Sequence, residues 1–263
     1  MEPTPLSILL SRLQASERTA VLDVPDDWLL GRTLFGGLQA VVGLAAMRSV
    51  APAAPLRSLQ VTFLAPVPGG PVRSVARILR SGKSTTHVEA RIVDGDNTLA
   101  LMVGVFGLPR SSAVAVRPQQ PAVPPGKATE LPWIAGVTPN FTQHFKARWV
   151  VGAPPWSGSA VPENVIELGM RDRGHATESH VLAMADFIPP IALSYLRTPV
   201  AAASLTWMLE MLPEEVTSLP LDGWRVDAQM TAAHEGYINQ SLMLWGPGGV
   251  PVALGRQTMV VFG

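Results

Sequence analysis

Cysteine is absent from this chain of 263 residues, which excludes disulfides, thiolate nucleophiles and cysteine-based metal sites. An excess of charge is absent too, because 20 Lys and Arg residues balance 20 Asp and Glu residues. A neutral chain offers little electrostatic attraction to nucleic acids or anionic membranes. No apolar run approaches the roughly 20 residues of a membrane-spanning helix, and the N-terminus lacks a secretory pattern. We therefore expect a soluble cytoplasmic protein with neither nucleic acid nor membrane as a partner.

Proline and small residues are concentrated between residues 108 and 132, where no hydrophobic period is visible. Such a composition is typical of a linker, and it divides the chain into halves of similar size. We predict an N-terminal domain over residues 1–107, a linker over 108–134 and a C-terminal domain over 135–263.

Both halves show the same order of elements, an apolar helix followed by four strands. In the first half the helix lies at 33–50 and the strands at 57–66, 71–82, 85–96 and 98–107. In the second half a strand at 143–151 precedes the helix, and the later strands lie at 203–212, 223–234, 236–246 and 250–263. One apolar helix followed by hairpin-linked strands predicts an antiparallel sheet curled around that helix, not a Rossmann-like alternation. We therefore predict an α+β fold of two antiparallel sheets, each wrapped around a central helix.

One carboxylate, Asp186, interrupts the apolar run at residues 181–196, which reads as buried. Burying an unpaired charge costs several kcal/mol, or the pKa shifts until the group is neutral. One explanation is local, since Asp186 could cap a helix whose first turn carries Pro189 and Pro190. The other explanation is that Asp186 faces a cavity and takes part in chemistry.

A glutamine marks a difference between the two halves. When the last strands are aligned on their Phe-Gly ends, Gln257 falls on what we predict to be the inward apolar face. The matched positions are Leu99, Leu101, Val103 and Val105 in the first half and Gly255, Gln257, Met259 and Val261 in the second. Gln257 is either a satisfied core amide or part of a site.

Hydroxyl groups lie in the strand predicted at 203–212. Strict alternation places Ser204 and Thr206 on one face of that strand, continuous with a core-facing position. Cross-strand pairing of hydroxyls is the structural explanation, and participation in a site is the functional one. Thr206 therefore stays a second candidate beside Ser204.

Two glycines, Gly36 and Gly37, open the first helix, where backbone N–H groups suit a developing negative charge. They could equally allow close packing or a turn. If the halves pack face to face, an oxyanion could rest on these amides while Asp186, Gln257 and Ser204 hold a water.

Other sites find less support in the sequence. The nucleophile-elbow pattern G-x-S-x-G is absent. His175 and His180 flank Glu178, but without a further compact set of ligands this segment reads as a solvated loop rather than a metal site. We expect neither a metal nor a cofactor.

Six blocks of this chain match a known family. They are FGGLQAVVGLAAM, PLRSLQVTFLAPVPGGPV, RSGKSTTHVEARIVDGD, LAMADFIPP, ASLTWMLEML and VPVALGRQTMVVFG. On these blocks the chain resembles the acyl-CoA thioesterase II (TesB-like) family, over nearly its whole length. The resemblance implies a tandem, or double, hotdog fold. It also implies a hydrolytic site with an Asp at the start of the second hotdog helix, a Ser or Thr on the next strand and a Gln on the last strand, which fall on Asp186, Ser204 and Gln257.

The resemblance implies hydrolysis of fatty or related acyl-CoA thioesters by water, without a covalent acyl-enzyme. It permits a homodimer. The alternative from another class is a non-catalytic acyl-CoA-binding protein with the same double fold. Such a protein would tolerate Gln257→Leu, whereas the enzyme would not.

Overall fold

Three α-helices and fifteen strands form in the computed structural model, which describes residues 3–51, 53–212 and 215–262. The helices are α1 (Leu6–Arg12), α2 (Gly36–Arg48) and α3 (Glu178–Ala185). The strands of the first half are β1 (Gln14–Ser16), β2 (Thr19–Val24), β3 (Leu29–Leu30), β4 (Thr33–Leu34), β5 (Leu56–Phe63), β6 (Gly70–Ser81), β7 (Thr85–Asp94) and β8 (Asn97–Gly107). Those of the second half are β9 (Thr129–Glu130), β10 (Phe145–Val151), β11 (Glu163–Met170), β12 (Ala201–Met211), β13 (Trp224–His234), β14 (Tyr237–Gly246) and β15 (Val250–Phe262).

The nine predicted strands are confirmed, with ends that differ by a few residues. Gly263, the last residue of the final predicted strand, lies outside the described residues. The sequence did not predict α1, β1, β2, β3, β4, β9 or β11. The first helix is confirmed, and its burial on nearly every side explains why it has almost no polar face.

Thirteen strands form one antiparallel sheet in the order β1-β2-β6-β7-β8-β5-β12-β15-β14-β13-β11-β10-β9, and β3 pairs with β4 separately. The prediction of two sheets is therefore correct only in part. Strands β5 and β12 join the halves by antiparallel pairing, with Leu59 opposite Leu209. Because one sheet runs through both halves, it does not mark where one domain ends and the next begins. The boundaries at 108–134 therefore stay a prediction.

The two central helices pack against each other and against the sheet. Helix α2 contacts β2, β6, β7 and β8, whereas α3 contacts β11, β14 and β15. A Cβ placed on Gly37 would lie 3.0 Å from the Cα of Ala183, so the start of α2 meets the last turn of α3. Residues that flank these two helix ends are thereby brought together.

The interpretation that Asp186 caps the start of a helix is wrong. Helix α3 ends at Ala185, and Asp186 is the residue that follows its C-terminus, with φ −94° and ψ 1°. A short 3₁₀ helix at Ile191–Tyr195 comes after a break. Pro189 and Pro190 explain the break, because proline lacks an N–H and disfavours helical geometry in the residue before it.

The start of α3 lies in the segment that the sequence analysis took for a solvated loop. Thr177 caps the helix, and His180 Nδ1 accepts a hydrogen bond from the Thr177 backbone N–H at 3.2 Å. The His180 ring is buried, and its Nε2 lies 3.4 Å from Asp172 Oδ2. His180 therefore completes a capping box instead of facing solvent.

The inward face of β8 also differs from the prediction. Ala100, Met102 and Phe106 are buried, while the predicted inward residues Leu99, Leu101, Val103 and Val105 are only half-buried. Alignment on the Phe-Gly ends fails because Phe106 is fully buried and Phe262 is 61% exposed. The inward position of Gln257 is nevertheless confirmed.

None of the helices formed by residues 3–51, 53–212 and 215–262 is both long and apolar enough to cross a membrane.

Asp172 ties α1 to the segment before α3, and its loss should weaken the fold. Burial would raise the pKa of Asp172, but hydrogen bonds from His180, from the Ser7 hydroxyl and amide, and from the Arg173 amide lower it to about 2. We expect Asp172→Ala to reduce the free energy of unfolding by about 2 kcal/mol, the range for hydrogen bonds to a charged group. Chemical denaturation at pH 7 measures this change.

The pH dependence supplies an independent check. Because the pKa of Asp172 is lowered in the folded state, its stabilisation is present above about pH 4 and is lost as the pH falls towards about 2. Asp172→Ala should flatten that part of the stability profile. Asp222, an exposed partner of Lys146, is the matched control, and Asp222→Ala should change stability little. Equal effects of both substitutions would contradict the tethering role.

Candidate active site

The candidate site lies where the first turn of α2 meets the residue after α3. A Cβ on Gly36 would lie only 2.7 Å from Asp186 Oδ2 and 3.0 Å from Phe63 Cζ. Any side chain larger than a hydrogen atom would therefore displace the carboxylate. Gly36 is needed here for close approach, which was one of the two explanations that the sequence left open.

Two neutral donors hold the Asp186 carboxyl group. Gln257 Nε2 donates to Asp186 Oδ1 at 2.8 Å, and the Gly37 backbone N–H donates to the same carboxyl group. Gln257 is 1% exposed, so it is a buried amide that is also part of this cluster. Asp186 and Gln257, both chosen from the sequence, are in direct contact.

Burial dominates the electrostatics of Asp186. It raises the pKa of this carboxyl group to about 7, although the hydrogen bonds from Gly37 and Gln257 lower it. The residue as a whole is half-buried, while its carboxyl group is the part that is shielded from water. A carboxyl group that titrates near neutral pH can accept or donate a proton under ordinary conditions.

Aromatic side chains from both halves surround the two chain segments that carry this contact. Phe35, which precedes the glycines, stacks on Phe141 with ring centroids 4.1 Å apart. Phe187, which follows Asp186, packs on Phe145 at 4.9 Å. These rings are buried, so the chain segments on either side of the contact lie in apolar surroundings.

The hydroxyl candidates lie on opposite faces of β12. Ser204 pairs with Met259 and Trp207 with Gln257, both on the buried face of β15, whereas Thr206 pairs with Thr258. A register shift between Ser204 and Thr206 causes this difference, because a bulge breaks strict alternation. Ser204 therefore shares the face of Gln257, and Thr206 is exposed on the other face. The prediction that both share one face is wrong.

Ser204 nevertheless stands apart from the carboxylate. Among the described residues, no hydrogen bond joins its side chain to Asp186 or Gln257. Its partner Met259 is one same-face position along β15 from Gln257, which corresponds to a separation of about 7 Å. A separation of this size between Ser204 and Gln257 would accept a water or a substrate atom.

The two glycine amides differ in their availability. Both belong to the first turn of α2, whose N–H groups have no partner within the helix. The Gly37 amide is used by Asp186, which leaves the Gly36 amide and the helix dipole for a developing negative charge.

A second buried glutamine, Gln240, was missed by the sequence analysis. It lies opposite Gln257 on β14, and its Nε2 donates to Gln257 Oε1 at 3.0 Å. The sequence did contain a signal, because Gln240 alternates with the buried residues Ile238 and Leu242. A single amide within an apolar ladder is the pattern that also marks Gln257.

No group of three or more His, Asp or Glu side chains in the described parts of the chain is placed to hold a metal ion.

Family comparisons match both halves of the chain. Residues 24–107 match the acyl-CoA thioesterase N-terminal domain, and residues 120–261 match the acyl-CoA thioesterase C-terminal domain. Together the two matches cover most of the chain.

Solved structures resemble the whole chain. A protein of unknown function with a hot dog fold from Alicyclobacillus acidocaldarius is 21% identical, with a TM-score of 0.86 over 99% of both chains. The tesB protein of Mycobacterium avium subs paratuberculosis is 17% identical, with a TM-score of 0.78 over 99% of this chain and 100% of that one. The acyl-CoA thioesterase II TesB2 of Mycobacterium marinum is 17% identical, with a TM-score of 0.71 over 95% and 94%. These likenesses show a shared fold.

A curated relative from Thermoplasma volcanium, which its name assigns provisionally to the esterases, is 42% identical over 55 residues. That match spans 20% of this chain and 41% of the relative's length. Membership of a family is therefore shown by the two domain matches. On these matches the chain belongs to the acyl-CoA thioesterase family.

Proposed function

We propose that this protein hydrolyses fatty or related acyl-CoA thioesters to the free acid and coenzyme A. The observation that carries the proposal is the Asp186 carboxyl group, held between the start of α2 and Gln257 in apolar surroundings. Family membership indicates the thioester, and this carboxyl group supplies a base for its hydrolysis. We interpret each half as one hotdog unit, with boundaries near the linker at 108–134.

In the proposed reaction Asp186 removes a proton from a water while the water oxygen attacks the thioester carbonyl carbon. The carbonyl oxygen becomes an oxyanion, which the Gly36 amide and the N-terminus of α2 stabilise. Collapse of this intermediate breaks the carbon–sulfur bond. The proton on Asp186 then passes to the departing thiolate, so one water is consumed and no acyl-enzyme forms.

Gln257 and Ser204 have supporting roles in this proposal. Gln257 fixes the orientation of the carboxyl group through the bond to Oδ1, which leaves Oδ2 to face the water. Ser204, on the same face of the sheet, offers a hydroxyl group that can hold that water from the other side. Orientation of this kind accelerates attack on a thioester carbonyl, which is already reactive.

Loss of Asp186 should abolish turnover while the fold is kept. We expect Asp186→Asn to reduce thiol release from a panel of acyl-CoAs by at least about 100-fold, the contribution of a general base. In the wild type, kcat/KM should rise with pH and level off above about 7, because the base must be ionised. Wild-type activity in Asp186→Asn would contradict the assignment, and binding without turnover on every substrate would favour the acyl-CoA-binding alternative.

Thermal denaturation of the same variant is the control for folding. Because burial raises the pKa of Asp186, its contribution to stability is full below about pH 4 and is lost as the pH rises through about 7. Asp186→Asn should therefore melt at least as high as the wild type at pH 8. A collapse of the melting temperature would mean that lost activity reports lost structure.

The two hydroxyls of β12 form a matched pair for a second prediction. Ser204→Ala should lower kcat by about 5- to 10-fold, the effect of one lost hydrogen bond. Thr206→Ala should leave kcat near the wild-type value, because Thr206 lies on the opposite face. Steady-state kinetics on one acyl-CoA would decide this, and a larger loss in Thr206→Ala would exclude the role of Ser204.

A methyl group at Gly36 should impair catalysis more than folding. Gly36→Ala would push a Cβ against Asp186 Oδ2, and we expect a loss of about 100-fold in kcat because misplacement by about 1 Å has that effect. Gly43→Ala on the same helix meets only the flexible Met102 side chain and controls for the change in helix propensity. Equal kcat values for the two variants would show that the approach of Gly36 to Asp186 is unimportant.

A further inference from the structure

Gln240 does not touch the candidate base Asp186, but it bonds to Gln257, which does. It is 1% exposed, stands directly opposite Gln257 on the neighbouring strand and donates from Nε2 to Gln257 Oε1 at 3.0 Å. Gln257 in turn donates to Asp186 Oδ1 at 2.8 Å. The two amides therefore form a chain of hydrogen bonds that ends on the carboxyl group.

The other end of this chain is fixed by the backbone. The Ile191 N–H donates to Gln240 Oε1 at 3.0 Å, and Gln240 Nε2 also donates to the Pro189 carbonyl at 3.4 Å. A backbone N–H can only donate, so Gln240 must present its oxygen to Ile191 and its NH₂ group to Gln257. Ile191 is the first residue with an N–H after the two prolines, so the proline pair places this anchor.

The hydrogen bond from the Ile191 N–H to Gln240 also fixes which way the Gln257 amide points. With its Oε1 held by Gln240, Gln257 must point its NH₂ group at Asp186. A flipped Gln257 would set its oxygen against an oxygen of the ionised carboxylate, which is repulsive. Oδ1 accepts the bond from Gln257, and Oδ2 is the oxygen beside Gly36.

We propose that Gln240 is a positioning residue for hydrolysis, which transmits the orientation of the Ile191 amide through Gln257 to the Asp186 carboxyl group. This inference rests on the proposed function, in which Asp186 is the base. A purely structural amide would need only satisfied hydrogen bonds, whereas a positioning residue must also affect how Asp186 reacts.

Charged groups do not complicate the test. Asp186 is contacted by Gly36 and Gly37 of α2 and by Gln257 of β15, none of which titrates. Within the described residues, the influences on its pKa are burial, the Gly37 amide and Gln257. A change in the pH profile after substitution of Gln240 would therefore report on Gln257.

The experiment measures kcat, KM and the pH profile of Gln240→Met on an acyl-CoA that the wild type hydrolyses. We expect kcat to fall about 10- to 100-fold with KM nearly unchanged, because the base loses its orientation. The acid limb should move to higher pH, since Gln257 no longer consistently donates to the ionised carboxylate. Gln240→Leu, which removes the same donor and acceptor with a branched side chain of similar volume, should show the same kcat loss if Gln240→Met folds poorly.

A double-mutant cycle isolates the pathway. In a Gln257→Met background, Gln240→Met should cause no further loss beyond about twofold, because the residue through which it acts is gone. Losses that multiply would overturn the inference. Asn164 is the matched control, since its buried side chain also accepts a backbone N–H, from Ala153 at 3.2 Å. Asn164→Leu should leave the acid limb in place.

Failure of the inference and failure of the proposed function can be told apart. If Asp186→Asn retains wild-type turnover, the base is misassigned and Gln240 has nothing to position. If Asp186→Asn is inactive while folded Gln240→Met and Gln240→Leu keep the wild-type kcat and acid limb, only the role of Gln240 is overturned.

Discussion

The pairing of β5 with β12 is the constraint on which the rest of the structure depends. It joins two sets of strands into one sheet, so α2 and α3 lie against each other. The start of α2 then meets the residue after α3, and a glycine amide from the first half reaches a carboxyl group from the second. The site therefore belongs to the junction and not to either half alone.

Burial and hydrogen bonding act in opposite directions at this junction. Burial beside the apolar segments of Phe35 and Phe187 favours the protonated form of the carboxyl group. Gly37 and Gln257 favour the ionised form, but neither carries a charge, so their effect is smaller. The balance leaves the pKa of Asp186 near neutral. A salt bridge would instead have left the pKa in the ordinary range of a carboxylic acid.

Local sequence was sufficient for most strands and for two of the site residues, because alternation and a lone polar group in an apolar run are short-range signals. It was insufficient for the bulge between Ser204 and Thr206, since nothing in strict alternation marks an extra residue. It also misplaced Asp186, because a polar residue beside an apolar helix is compatible with either helix end. The partners of Asp186 come from distant segments, and only the pairing of strands brings them together.

The predicted linker is not what holds the two halves together. Residues 108–128 lack regular structure and are largely exposed, whereas the β5–β12 ladder and the aromatic cluster hold the halves together without it. Exposed irregular segments are where proteases cut and where chains tolerate new ends. A nick there would leave two fragments still held together by the pairing of β5 with β12.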